Sequence, residues 1–409
     1  MKQQNKIALS ILMLNTFITM AGIGLIIPIM PQFLRGFGSA DTVGTALGFI
    51  IATFSFAQFL FSPISGRLSD KHGRKKIILI GLLIYAASQL AFSLSTQLWM
   101  LYVARFFSGF GAAFLIPPMM AFVADITPFE SRGKGMGMLG AAITLGFVVG
   151  PALGGFLASI TLLFPLYFAT GATLVAFILS IFFLPNIKPS EEQLEQAKVR
   201  VSLGQQLKQS TKENYFVLLL VMLIFSFGLA NFQSTLSLFL DKVFSYGAKE
   251  IAIVITIGGF AGVIMQSFFI QKLFERFGEM RIILINLLIA GISMMGILFV
   301  HQFWSIALVA AIFFTATSLL RPAVNTFVSK LASKSRQGYA AGMMNSYMSF
   351  GNMFGPATAG LLFDWNISAP YIVGMTALII GYAITKTWSI RNTELVQMTS
   401  SQKKQNALS

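Results

Sequence analysis

The chain has 409 residues, 56% of them hydrophobic and only 11% charged, against about 25% charged in a soluble domain, so one water-soluble core cannot hold its apolar side chains. The absence of cysteine excludes disulfides and thiolate metal sites, and two histidines leave almost nothing for a histidine metal site. A formal net charge of +15 would point to nucleic acid in a soluble protein, but here its placement in loops and termini argues against that partner.

A membrane-spanning helix needs roughly 20 apolar residues. Twelve such runs follow one another, near 7–33, 43–65, 77–95, 99–124, 137–158 and 164–184, then near 215–240, 249–272, 282–300, 303–328, 338–363 and 369–388. The first starts near Ile7, is long enough to span and lacks a cleavage-like end, so it is read as a span and not as a secretory signal. Pro28 and Pro31 are expected to bend the first run, Pro63 the second and Pro117-Pro118 the fourth. The fifth carries Gly146, Gly150 and Gly154, four apart on one face, with Gly155 beside them and a kink expected at Pro151. The eleventh repeats this with Gly351, Gly355, Pro356 and Gly360. Such small faces let helices touch closely.

The organisation is a duplication. Gly73 recurs as Gly278, Pro117 as Pro322, Gly150-Pro151 as Gly355-Pro356 and Gly155 as Gly360, all at one offset of 205. Residues 1–184 and 215–390 are therefore read as two six-helix bundles, 185–214 as a cytoplasmic linker with a short amphipathic helix in its middle, and 391–409 as a disordered tail. With both termini inside, 24 of the 29 Lys and Arg residues fall on the inner face, and only Arg35, Lys242 and Lys249 on the outer one. A duplicated, membrane-embedded bundle is the usual build of a secondary transporter, with its site between the repeats.

Charges inside the spans are costly, so each should face the bundle interior or water. Two stand out. Arg105 lies about six residues into the fourth run, and Arg321 lies nearer the inner end of the tenth, followed by Pro322. Every Asp and Glu can be placed in a loop or near a helix end. The inner loop Gly66-Arg67-Leu68-Ser69-Asp70-Lys71-His72-Gly73-Arg74-Lys75-Lys76 is heavily basic and holds one carboxylate. Asp70 is suited to latch neighbouring helices, with Asp125, Glu130 and Arg132 as partners for that latch. The second half keeps only an outline of the loop, from Gln271 to Gly278.

These residues carry a signature. Gly66, Asp70, Gly73 and Arg74 match an inner-loop motif; Leu101, Arg105, Gly109 and Gly111 match a fourth-helix motif; Gly146, Gly150, Pro151, Gly154 and Gly155 match a fifth-helix motif. On these the chain resembles the major facilitator superfamily, in its twelve-helix drug:proton antiporter branch, and bacterial multidrug efflux pumps of Gram-positive organisms. The resemblance covers nearly the whole chain. It implies an all-α membrane protein of two pseudo-symmetric bundles. Asp70, Arg74, Asp125, Arg132, Gly150 and Pro151 would serve switching, and Arg105 proton coupling. The chain departs from some relatives in having Gln233 and Ser318 where they carry acids, which disfavours cation capture by a buried carboxylate and favours neutral, zwitterionic or weakly anionic amphiphiles.

The expected cavity is lined by Phe17, Met20, Gln58, Phe114, Asn231, Gln233, Arg321, Asn325, Asn345 and Tyr347, bulky apolar area with sparse polar groups. The reading is a proton-coupled exporter of hydrophobic or amphiphilic drugs in a bacterial cell membrane, a monomer and not an enzyme. It would need no cofactor and contact protons and lipids but no nucleic acid, with antibiotic resistance as its consequence. The alternative is an exporter of one defined metabolite, a sugar or amino-acid derivative, on the same fold.

Overall fold

The computed structural model describes residues 3–38, 42–128, 131–187, 203–333 and 336–393, and every regular element among them is helical. The expected linker residues 188–202 and the tail beyond 393 lie outside the described residues, as does Glu130.

In the first half the helices are α1 (Gln3–Leu25), α2 (Met30–Leu34), α3 (Val43–His72), α4 (Arg74–Ser93), α5 (Leu98–Ala113), α6 (Ile116–Ile126), α7 (Arg132–Leu157) and α8 (Phe164–Phe183). The second half follows with α9 (Leu203–Ser210), α10 (Phe216–Phe244), α11 (Ala248–Ile264), α12 (Ile270–Phe277), α13 (Glu279–Gly296), α14 (Phe303–Leu331), α15 (Gln337–Trp365) and α16 (Ala369–Arg391). Eleven helical segments among the described residues are long and apolar enough to cross a bilayer. The remaining expected span, α15, is 29 residues long but is diluted by Gly338, Gly342, Asn345, Ser346, Ser349 and Asn352. At about 1.5 Å per residue its length still suffices.

Prolines act in two ways. At Ile27–Ile29 the first span tightens into a 3₁₀ turn around Pro28, and the fourth breaks at Phe114-Leu115, so that Pro117 and Pro118 fall in the first turn of α6, where a missing N–H is harmless. Pro63, Pro151, Pro322 and Pro356 instead lie inside helices that run on through them. The kink expected at Pro151 therefore does not interrupt α7. A further irregularity is the π-helical turn Met265–Phe269 between α11 and α12.

Packing groups the chain into two compact units. Unit 1 draws on residues 1–200 and Ser237–Thr256; unit 2 draws on residues 201–236 and 257–409. In unit 1, Leu12, Ile78, Leu82, Leu115, Met119 and Phe122 belong to one buried apolar cluster. The seam between α1 and α7 is closer than side chains permit. A Cβ on Gly146 would stand 2.6 Å from the Phe17 carbonyl oxygen, one on Gly150 would stand 2.5 Å from that of Ala21, and one on Gly154 would run into that of Leu25. Unit 2 repeats the device between α10 and α15, where a Cβ on Gly351 would stand 2.5 Å from the Leu223 carbonyl oxygen and one on Gly355 2.8 Å from that of Phe227. Large exposed apolar side chains such as Phe182, Phe268, Trp304 and Trp365 make up the outward surface, as lipid requires.

Candidate functional site

Arg105 lies on the buried face of α5, only 8% exposed, with its guanidinium 4.7 Å from the centroid of the Phe92 ring. Among the described residues its Nε meets no hydrogen-bond acceptor, and no carboxylate forms an ion pair with it. The surroundings are aromatic and neutral. Phe33 packs against Phe92 with ring centroids 5.5 Å apart, the Tyr85 hydroxyl donates to the Thr19 carbonyl at 3.1 Å, and Ser88 and Ser108 share a 2.8 Å hydrogen bond. The Phe92 ring faces the charge, and part of the guanidinium's hydrogen-bonding capacity is left unused. Arg105 thus faces the interior of its unit, one of the two settings expected of a charge within a span.

The inner-loop motif folds onto itself. Gly73, at φ +94°, ends α3 and starts α4, so the chain reverses within one residue; that left-handed conformation favours glycine. Arg74 is thereby the first residue of α4 and is buried. Its guanidinium pairs with Asp70, bonds the Ser69 hydroxyl at 2.7 Å and reaches the Asp125 carboxylate at 3.1 Å through Nε. Asp70, Arg74 and Asp125, three of the residues expected to serve switching, thus form one charge cluster. Arg132 lies exposed in the first turn of α7.

At the far ends of these helices lies a seam that sequence reading missed. Arg35 pairs with Asp241, Lys249 sits 5.7 Å over the Phe156 ring, and a Cβ on Gly155 would run into the Cβ of Ala252. All of these residues belong to unit 1. The available signal was the duplication itself, because Arg35 and Asp241 occupy nearly equivalent places, 206 residues apart.

The remaining expected unit 1 residues scatter in burial. Phe17 and Gln58 are half-buried; Met20 is buried against Gly146; Phe114 is buried and stacked on Phe110, with centroids 4.6 Å apart. Gly150 and Pro151 are buried on α7.

In unit 2, Arg321 is exposed and, among the described residues, forms no ion pair. It is not on the lipid-type strip of α14, which holds Trp304, Leu308 and Ile312. Nine residues separate Arg321 from Ile312, about half a turn around the helix axis at ~100° per residue. Its own face carries Ser318 and Asn325, three residues before and four after, both partly exposed. Gln233 is likewise partly exposed, and Asn345 exposed. Asn231 is fully buried on α10, and neither atom of its amide has a partner. The Tyr347 hydroxyl is held at 2.9 Å by Ser210 of α9, and Tyr339 donates to the Gln206 carbonyl at 2.7 Å, so the short helix of the linker is stitched to α15. Opposite the inner-loop motif in the duplication, Glu279 and Lys330 form a 2.7 Å ion pair that the sequence reading also missed. Among the described residues no cluster of His, Cys, Asp and Glu could hold a metal ion.

A family model described as Major Facilitator Superfamily matches residues 12–356 and 218–405. Multidrug resistance protein 2 of Bacillus subtilis (strain 168) is 37% identical over 387 residues, covering 94% of this chain and 96% of its own length. Multidrug resistance protein 1 of the same strain is 38% identical, covering 94% of this chain and 97% of its own. Among solved structures, a bacterial homolog of the human lysosomal transporter Spinster, inward-facing and occupied, superimposes with a TM-score of 0.78 at 15% identity, over 97% of this chain and 99% of that one. At that identity the likeness speaks for the fold alone.

Proposed function

Since the chain belongs to the Major Facilitator Superfamily, we propose that it is a proton-coupled antiporter that exports hydrophobic and amphiphilic drugs by alternating access. One observation carries this reading: likeness along nearly its full length to two multidrug resistance proteins. Residues 1–184 and 215–390 act as the two rocking bundles, with 185–214 as linker and 391–409 as tail. Both termini lie in the cytoplasm, as the distribution of Lys and Arg requires. The protein works as a monomer in the bacterial cell membrane.

Cargo enters from the cytoplasm or inner leaflet, and the bundles tilt while the glycine seams let helices inside each of them shift. Close contact without side chains lets helices pivot while staying packed. The Asp70–Arg74–Asp125 cluster latches inner helix ends, with Arg132 beside it, and Gly150 and Pro151 form part of the pivot. Inward proton flow drives export, with about 2.3 kcal/mol per charge per 100 mV from the membrane potential alone. Arg105 couples the two movements, because an interior cation with spare hydrogen-bonding capacity responds to any nearby proton or charge.

Phe17, Met20, Gln58, Phe114, Asn231, Gln233, Arg321, Asn325, Asn345 and Tyr347 contact cargo at some stage of the cycle. The exposed, unpaired Arg321 beside neutral Ser318 and Asn325 favours cargo that is neutral, zwitterionic or weakly anionic. The unpartnered Asn231 amide gains its hydrogen bonds when water or cargo reaches it.

The test is purified protein in liposomes with an imposed pH gradient, offered a hydrophobic dye and then a panel of drugs and single metabolites. Dye movement with proton counterflow is expected across several drugs. Movement of one sugar or amino-acid derivative alone would replace this reading with a dedicated metabolite exporter. No substrate-dependent proton flux at all would end it.

A further inference from the structure

The duplication places Glu279 opposite Arg74 and Lys330 opposite Asp125, both at the offset of 205. The backbone is the same at both sites. Gly278, like Gly73, has a positive φ, ends one helix and starts the next, and donates its N–H to a carbonyl four residues back at 3.0 Å. Glu279 is thus the first residue of α13 as Arg74 is of α4, and Lys330 stands in the last turn of α14 as Asp125 does in that of α6. Burial also matches. The residue after the glycine is the deeply buried member of each pair, with side chains 9% and 4% exposed, and its partner is 20% and 23% exposed. Only the signs are exchanged.

That exchange has a physical consequence. A helix start favours a negative charge and a helix end a positive one. Glu279 and Lys330 satisfy both preferences; Arg74 and Asp125 violate both. The first site has added support, because Asp70 and the Ser69 hydroxyl also hold Arg74. The matching positions in the second half are Glu275, which accepts from Gln271 at 3.1 Å, and Phe274, which has no hydroxyl. One site is a cation shared among several acceptors against the helix dipoles. The other is an ion pair aligned with them.

We infer that Glu279 and Lys330 are positioning residues for transport: a charge-inverted counterpart of the Arg74–Asp125 latch that stays closed and makes the inner ends of α13 and α14 move as one body. This carries the exposed Arg321 strip of α14 along with α13. The inference rests on the transport function and the orientation proposed above. The shared, dipole-opposed site of unit 1 is the one that rearranges; the dipole-aligned site of unit 2 is the brace.

The test uses the full chain, whose lack of cysteine allows spin labels on Arg281→Cys and Ser329→Cys to report the spacing of α13 and α14 whatever the cargo. A single narrow distance is expected in this background, and broadened distances in Glu279→Gln and Lys330→Met. In the exchanged double variant, E279K with K330E, the distances stay broad, because the pair then opposes both helix dipoles as Arg74 and Asp125 do, even with Glu275 four residues before the relocated cation. In liposome efflux, each single variant loses about tenfold in maximal rate with half-saturation unchanged, and the exchanged pair does not regain it. Unbroadened distances in the single variants would overturn the inference whether or not dye is transported. So would a rise in half-saturation at unchanged maximal rate, or an exchanged pair that restores the narrow distance. Absence of transport in the unsubstituted protein would count against the proposed function alone, since the distances are read without it.

Discussion

Units 1 and 2 share a packing device and differ in how they hold charge. Both press a glycine-lined helix against a neighbour's carbonyls, α7 on α1 and α15 on α10. Yet unit 1 buries its intramembrane arginine over an aromatic ring, while unit 2 exposes its own on a polar strip. Close packing is a property of backbone shape, so both copies of the duplicated chain can use it unchanged. Charge placement depends on what surrounds it, and there the copies differ: a buried cation in one and an exposed cation in the other.

The largest expected effect tests that division directly. Arg105→Ala should lower coupled efflux about a hundredfold, the kinetic equivalent of roughly 2.7 kcal/mol, with membrane insertion intact. Normal pumping by this variant in proteoliposomes would erase the distinction between the two arginines. The shared device comes next. Gly154→Val puts a branched side chain against the Leu25 carbonyl and should destabilise the protein by about 1–3 kcal/mol, read as a lower thermal midpoint in detergent. Gly137→Ala on the same helix meets open space and serves as the neutral control. Equal stability of the two variants would mean that the seam is not close-packed in the membrane.

Arg321→Gln should act on selectivity. Half-saturation for a carboxylate-bearing amphiphile should rise about tenfold, or roughly 1.4 kcal/mol, and change little for a neutral dye. Parallel shifts for both cargoes would remove Arg321 from recognition. The smallest effect belongs to Asp70→Asn. Its ion pair with Arg74 is partly exposed and backed by Asp125, and such pairs contribute about 0.2–1 kcal/mol, so turnover should fall about threefold while binding holds. Weakened binding at unchanged turnover would contradict the switching role.

Much of this was legible in the residues. The apolar runs, the glycines spaced by four and the Gly73–Arg74 corner each depend on local chemistry: segment length, the absence of a Cβ, a positive φ. The pairs Arg35–Asp241 and Glu279–Lys330 were not read, because a search for repeated motifs looks for like residues and these positions pair unlike ones. α15 was read as a span from its length and its glycines despite its polar residues, and in the fold those glycines pack on α10. Tyr347, read as a cavity residue, spends its hydroxyl on α9, a contact that no spacing in α15 announces.

Composition and periodicity alone determined that this chain is a duplicated set of apolar helices, because only internally hydrogen-bonded helices satisfy the backbone in lipid. They also located its two intramembrane cations. Which of those cations is enclosed and which stays open, and which distant carboxylate meets which base, was decided only by the tertiary structure. Burial and pairing depend on the helices that come to lie alongside, and sequence distance does not encode that neighbourhood.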